Sequence, residues 1–294
     1  MDILKIEGIS KRYGATQAVR NLSLNIEKGS VYGILGPNGS GKTTILGIIL
    51  GVIHQNSGNF QWAQANENDT NFKIGALLET PNFYSYLNLS QNLELVAKIK
   101  QTNINHVDTA LEKLGLLERK YSRYYTLSLG MKQRLAIASA LLGDPEILVF
   151  DEPTNGLDPE GIADVRRIIT NEAANGKTII LASHILSEVQ KTCTHVAILK
   201  KGEIIKSGEM GSLMKSKKIL IVSSENNELL NDLLVRSGLF NKIEQDNNEI
   251  HIELKENQEA KDVNEFAFKN DIILTKFETK EQSLETEFLK IINS

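Results

Sequence analysis

The chain has 294 residues, of which 41% are hydrophobic and 24% charged, with a formal net charge of -4. That is the composition of an ordinary globular protein with room for about two domains, and it offers no broad basic surface to nucleic acid or anionic lipid. A single cysteine, Cys193, excludes an internal disulfide. The longest apolar stretch, residues 45–53, falls well short of the roughly 18 residues that cross a bilayer, and the first residues lack the basic-then-apolar layout of a signal peptide. The expectation is a cytoplasmic protein whose membrane role, if any, passes through a partner.

In chain order, Ile3, Leu4 and Ile6, then Val19, Leu22, Leu24 and Ile26, alternate partly and read as two strands joined by a polar turn over residues 10–14. Tyr13 lies in that turn, either as a simple surface aromatic or as a platform for a nucleotide base. The apolar run Val31-Tyr32-Gly33-Ile34-Leu35 then leads into Gly36-Pro37-Asn38-Gly39-Ser40-Gly41-Lys42-Thr43-Thr44 and a helix ending near Gly51. A buried strand, a glycine-rich turn and a helix start are what a phosphate-cradling loop requires. Its glycines let backbone N–H groups approach phosphate oxygens, Lys42 suits the β- and γ-phosphates, and the Thr43 hydroxyl suits Mg2+.

Residues 55–73 are polar and weakly patterned, with a short edge strand at Asn59-Phe60-Gln61-Trp62. A strand from Ile74 to Leu78 ends at Glu79 and is broken by Thr80-Pro81-Asn82. Ser90 is the expected N-cap of a helix through Leu93, Val96, Ala97 and Ile99, and a second helix covers residues 107–114. Leu127-Ser128-Leu129-Gly130-Met131 opens a third, and Ser128 there reads by itself as an ordinary N-cap.

Ile147-Leu148-Val149-Phe150 is a buried strand from whose C-terminal end Asp151 and Glu152 emerge, the edge where ligands bind in open α/β sheets. Asp151 suits Mg2+, and Glu152 suits a proton from attacking water. A helix over residues 161–174 and a buried strand over 178–182 follow, with His184 again just past a strand end. A hairpin through Lys201-Gly202 closes this half.

These elements, in this order, resemble the ATP-binding subunit of an ATP-binding-cassette (ABC) transporter over residues 1–215. The resemblance implies an α/β fold: a P-loop NTPase core with an antiparallel β-subdomain and a helical subdomain. It implies ATP and Mg2+ as ligands, a separate integral membrane permease, and a second nucleotide-binding subunit docked head to tail. Tyr13 would stack on adenine, Asp151 would help hold Mg2+, Glu152 would be the general base, and His184 would contact the γ-phosphate. Ser128 and Gly130 would contact the γ-phosphate held by the opposite subunit, and Asp158 would lie in the loop communicating between the two sites. The chain departs from the family pattern in two places. Leu129 and Met131 stand in the usual Leu-Ser-Gly-Gly-Gln motif, and Glu79 stands where a Mg2+-touching glutamine is usual. The phrase from Ile74 to Tyr84 is similar to the branch of bacitracin-resistance and lantibiotic-immunity exporters. A non-transport ABC ATPase is disfavoured by the single phosphate loop and the lack of sustained heptads.

From residue 216 onward there are 16 acidic residues against 10 Lys and Arg. The order there is strand, helix, strand, strand, helix, strand, and then a final helix over residues 283–292. This is expected to be a small ferredoxin-like α+β domain, 216–294, with an interaction or dimer-stabilising role.

Overall fold

Alternation in the first residues produces a long hairpin, β1 (Asp2–Tyr13) and β2 (Thr16–Glu27), with Leu4, Ile6, Ile9, Leu22, Leu24 and Ile26 turned into the core. The computed structural model describes residues 1–63, 74–78, 83–213, 217–240, 242–246, 249–254, 258–282 and 288. After the hairpin come β3 (Val31–Leu35), α1 (Lys42–Ile49), β4 (Ser57–Trp62) and β5 (Ile74–Leu77). The helices α2 (Leu89–Ile99), α3 (His106–Lys113) and α4 (Leu129–Leu141) precede β6 (Ile147–Asp151), α5 (Pro159–Ala174) and β7 (Thr178–Ser183). Then follow α6 (Leu186–Thr192), β8 (His195–Lys200), β9 (Glu203–Glu209) and α7 (Met210–Leu213). The C-terminal elements are β10 (Lys217–Ser224), α8 (Asn227–Ser237), β11 (Lys242–Asp246), β12 (Glu249–Glu253), α9 (Ala260–Lys269) and β13 (Leu274–Gln282).

The chain divides into two compact units, Met1–Met210 and Gly211–Ser294. In the first, a six-stranded sheet has the order β5-β6-β7-β3-β8-β9, parallel except for the β8–β9 hairpin. Every residue of β3, β6 and β7 is buried, as expected of parallel strands covered on both faces. An antiparallel sheet, β2-β1-β4, packs its apolar face into the same core as α1. The C-terminal ends of β3, β6 and β7 therefore lie side by side, and that edge carries the loop, the two acids and the histidine.

Two expectations are corrected. The turn of the first hairpin is only Gly14-Ala15, because β1 stays paired with β2 through register shifts as far as Tyr13 opposite Thr16. The N-cap of α2 is Asn88 rather than Ser90. Asn88 accepts from the Gln91 N–H at 2.8 Å while Gln91 Oε1 accepts from the Asn88 N–H at 3.1 Å, and this reciprocal capping box outcompetes a lone serine. Glu79, Thr80, Pro81 and Asn82 lie outside the described residues.

The helical block is tied to the core by a chain of ion pairs. Glu172 of α5, almost fully buried, meets Lys113 of α3 at 3.2 Å and Lys177 at 2.7 Å, and Lys177 meets Asp144 at 2.7 Å. The hydrogen bond from Lys177 holds the Asp144 carboxyl below the usual carboxylate range.

In the second unit the order β11-β12-β10-β13, antiparallel throughout, is the split βαβ arrangement of a ferredoxin-like fold. Leu220, Val222, Ile250 and Ile252 of the sheet pack against Leu230 and Leu234 of α8 and Val263 of α9. The last strand runs from Leu274 to Gln282, paired with β10 along that length. Of the expected final helix only Phe288 is described; it is helical and buried.

Asp144 has positive φ, a conformation that asparagine also accepts. Its carboxyl pKa is lowered in the folded chain, so its contribution is present above the unfolded pKa and is lost as pH falls through the folded one. Asp144→Asn is expected to cost about 0.5 kcal/mol at pH 7, the scale of a pair with one exposed member. It should also lose less stability than the unmodified chain between pH 5 and pH 3, as read from urea midpoints.

Candidate functional site

The phosphate loop is shaped by close approaches that only glycine permits. A Cβ on Gly36 would stand 2.5 Å from the Leu199 carbonyl oxygen, and one on Gly41 would meet the Ala18 carbonyl oxygen. Gly41 also has φ 105° at the N-cap of α1, so the helix opens directly with Lys42 and Thr43. Gly36 is anchored by its N–H to the Ser183 carbonyl at 3.1 Å, fixing the loop to the end of β7. Pro37 and Ser40 close a turn (Ser40 N–H to Pro37 O, 3.2 Å) around Asn38 and Gly39, and Thr44 continues the helix. The Ser40 hydroxyl oxygen is buried with no hydrogen-bond partner among the described residues. An orphaned polar atom inside such a cradle fits a site built for a polar ligand.

Lys42 is 5% exposed, and its ammonium donates to the Gly36 carbonyl at 2.8 Å and the Pro37 carbonyl at 3.2 Å. It also lies 3.2 Å from Glu152 Oε1. The other Glu152 oxygen is 2.8 Å from His184 Nδ1. Thr43 Oγ1 donates to Asp151 Oδ2 at 2.5 Å. Five side chains from three segments thus meet at one sheet edge. Glu152 has φ 47°, a left-handed conformation uncommon for a residue with a Cβ. Its N–H bonds to the Ala182 carbonyl at 3.0 Å, which locks the acid into that turn. Strain held by surrounding bonds in this way is a mark of functional positions.

The Thr43 hydroxyl and the Asp151 carboxylate are hard oxygen donors, close enough to share one small cation. Mg2+ usually takes only one or two protein oxygens and completes its shell from phosphate and water, so the pair fits that ion.

Ser128 and Gly130 lie elsewhere. Ser128 caps α4 by accepting from the Met131 N–H at 3.3 Å, and a Cβ on Gly130 would meet open space. Both line a cleft of about 410 Å3 with Arg134, Gly156, Asp158 and Asp164, which none of residues 36–44 lines. Asp158 caps α5, accepting from the Gly161 N–H at 3.0 Å. Leu129 is 55% exposed, and its Cδ2 is 3.4 Å from where a Gly156 Cβ would stand. The motif's departure from glycine thus gives an apolar side chain resting on the Gly156 loop. Tyr13 sits at the hairpin tip with its ring about half exposed.

Three features of the site are not evident from the residues alone: the left-handed Glu152, the Arg134–Asp164 pair at 3.7 Å, and the Lys11 ammonium 5.1 Å from the Tyr13 ring centroid. Only the last left a usable signal, a lysine two positions before the tyrosine on one strand.

This sheet order, with a phosphate loop after β3, is that of a P-loop nucleoside-triphosphatase. Residues 19–155 match the ABC transporter family model. The chain is 37% identical to the uncharacterized ABC transporter ATP-binding protein YdbJ of Bacillus subtilis, over 98% of this chain and 94% of that one. It is 32% identical to the bacitracin transport ATP-binding protein BcrA of Enterococcus faecalis, over 99% of this chain and 96% of that one. With the lantibiotic transport ATP-binding protein SrtF of Streptococcus pyogenes it shares 39% identity over 69% of this chain and 89% of the relative. The ATP-binding cassette MJ0796, solved as a dimer in a post-hydrolysis state bound to ADP and Pi, superposes with a TM-score of 0.63 at 26% identity. That match covers 70% of this chain and 98% of the cassette. The chain belongs to the ABC transporter family, as an ATP-binding subunit. Such subunits bind and hydrolyse nucleotide in support of transport, work with a membrane permease, and dimerise. Among the described residues no helix is long and apolar enough to cross a membrane.

Gly41 and Gly39 separate the two demands that the loop makes on glycine. Both have positive φ, but only Gly41 has backbone in the space of a Cβ. Gly41→Ala is expected to lower stability by about 2–3 kcal/mol and to abolish ATP binding, whereas Gly39→Ala should cost about 1 kcal/mol. Thermal midpoints and nucleotide titration check both.

Proposed function

We propose that this chain is the Mg2+-dependent ATPase subunit of an exporter, held at the cytoplasmic face of the membrane by a separate permease. Its cargo class would be antimicrobial peptides, drugs or similar compounds. The cargo rests on similarity to BcrA and SrtF, whose names specify bacitracin and lantibiotic transport. Permease docking is supported by the exposed aromatic pair Tyr84 and Tyr86, whose ring centroids are 5.8 Å apart, since exposed apolar surface patches mark protein interfaces.

The chemistry rests on the convergence of Lys42, Thr43, Asp151, Glu152 and His184. The loop and Lys42 would receive the β- and γ-phosphates, and Tyr13 would stack on adenine. Thr43 and Asp151, with Glu79 as a further oxygen, would hold Mg2+, which supplies charge neutralisation on the phosphate oxygens. The Lys42 ammonium is shared between loop carbonyls and Glu152. A phosphate competing for it would release Glu152 to accept a proton from water, with His184 orienting the carboxylate and facing the γ-phosphate. Ser128 and Gly130, remote from the loop of their own chain, would serve the ATP of a second copy, and Asp158 would link the two sites.

Glu152→Gln keeps the shape and removes the base. It is expected to retain ATP binding and to accumulate as an ATP-bound dimer, with turnover down by about 100-fold or more. Turnover within a few-fold of the unmodified chain would refute Glu152 as the base.

A further inference from the structure

We infer that Lys11 is a positioning residue for the nucleotide base, acting through the ring of Tyr13. The inference rests on the stacking role proposed above for Tyr13.

Lys11 and Tyr13 are two residues apart on β1 and project from the same side of the strand. The ammonium lies 5.1 Å from the ring centroid and so covers one face, and the ring is still 47% exposed. The same nitrogen donates to the His54 carbonyl at 2.6 Å. It pairs with no carboxylate among the described residues, so its charge is available to the ring's negative face.

The hairpin tip is held at further points. The Arg12 N–H donates to Asn56 Oδ1 at 2.7 Å, Arg12 Nε closes the turn onto the Gly14 carbonyl at 2.6 Å, and the Asn56 N–H returns to the Ser10 carbonyl at 2.8 Å. Residues 54–56 come four residues after the helix Lys42–Ile49, and the intervening segment is tied back to it by the Val52 and Ile53 N–H groups, which donate to the Gly47 carbonyl at 2.9 and 3.0 Å. The contact between Lys11 and His54 therefore references the aromatic ring to the helix that carries the phosphate-binding lysine. A base and a triphosphate on one ligand must be met at a fixed separation, and a ring fixed in advance loses less freedom on binding. Lys11 covers one face of the ring and leaves the other for adenine.

The test uses the full chain and compares Lys11→Met, Lys11→Arg and Tyr13→Ala, with circular dichroism and thermal midpoints to verify folding. Binding of ATP and of inorganic tripolyphosphate is measured in the same buffer. Lys11→Met keeps the stem length and is expected to weaken ATP by about two- to fivefold, the span of an exposed cation–π contact, with tripolyphosphate affinity unchanged. Lys11→Arg should restore ATP affinity. Equal weakening of both ligands by Lys11→Met would overturn the inference, because the charge would then be acting on phosphate. Unchanged ATP affinity in Lys11→Met beside a loss in Tyr13→Ala would also overturn it, leaving the stacking role intact. Unchanged affinity in Tyr13→Ala would remove the stacking role itself.

Discussion

A buried ammonium is tolerated only where oxygens replace its lost water, and Lys42 is that group here. It is enclosed by two carbonyls of its own loop and by Glu152 from another strand end. The loop must curl far enough to offer those carbonyls, which is why Gly36 and Gly41 lie too close to neighbouring backbone for a side chain. Glu152 must turn back from β6 towards the loop, which is why it holds left-handed backbone. The acid is fixed by His184 on one side and the lysine on the other, so the three motifs form one electrostatic unit. A change in the lysine's partner is then felt by the acid and the histidine together.

The fold supplies this unit through sheet order. β7 lies between β3 and β6, so Ser183 at its end can anchor the loop on one side while Ala182 anchors Glu152 on the other. Outside the sheet, the Lys113–Glu172–Lys177–Asp144 chain fastens the helical block to the same core. The cleft at the start of α4 is thereby held relative to the phosphate loop, although the two do not meet within one chain. The C-terminal unit has its own apolar core between sheet and helices, and an acidic bias that the ATP-binding unit lacks.

Much of this was legible in the residues. Four-apolar runs ending in Asp151-Glu152 and in Ser183-His184 announce buried parallel strands with their chemistry at the C-terminal edge, and the phosphate loop has both its length and its setting. What escaped was decided by contacts distant in sequence. The residues after Ser10 look like a turn because they are polar, yet they remain strand because β2 pairs with them at an exposed end. Asn88 and Ser90 are equally good caps on composition, and only the reply from Gln91 selects the first. Nothing in a string of letters gives the backbone sign of Glu152 or seats Leu129 on Gly156. The position of Lys11 over Tyr13 was within reach of strand periodicity, but its bond to His54 was not.

On the proposed function, one chain carries two half-sites, the phosphate loop and the α4 cleft, which act only on different copies. The direct measurement mixes two inactive proteins, Lys42→Ala and Ser128→Arg, and follows ATP hydrolysis. Each alone lacks a component of both sites in its dimer, whereas the mixed dimer contains one intact site. Activity is expected to appear on mixing and to peak near equal amounts. A mixture as inactive as its components, or a Ser128→Arg protein that hydrolyses ATP normally by itself, would contradict it.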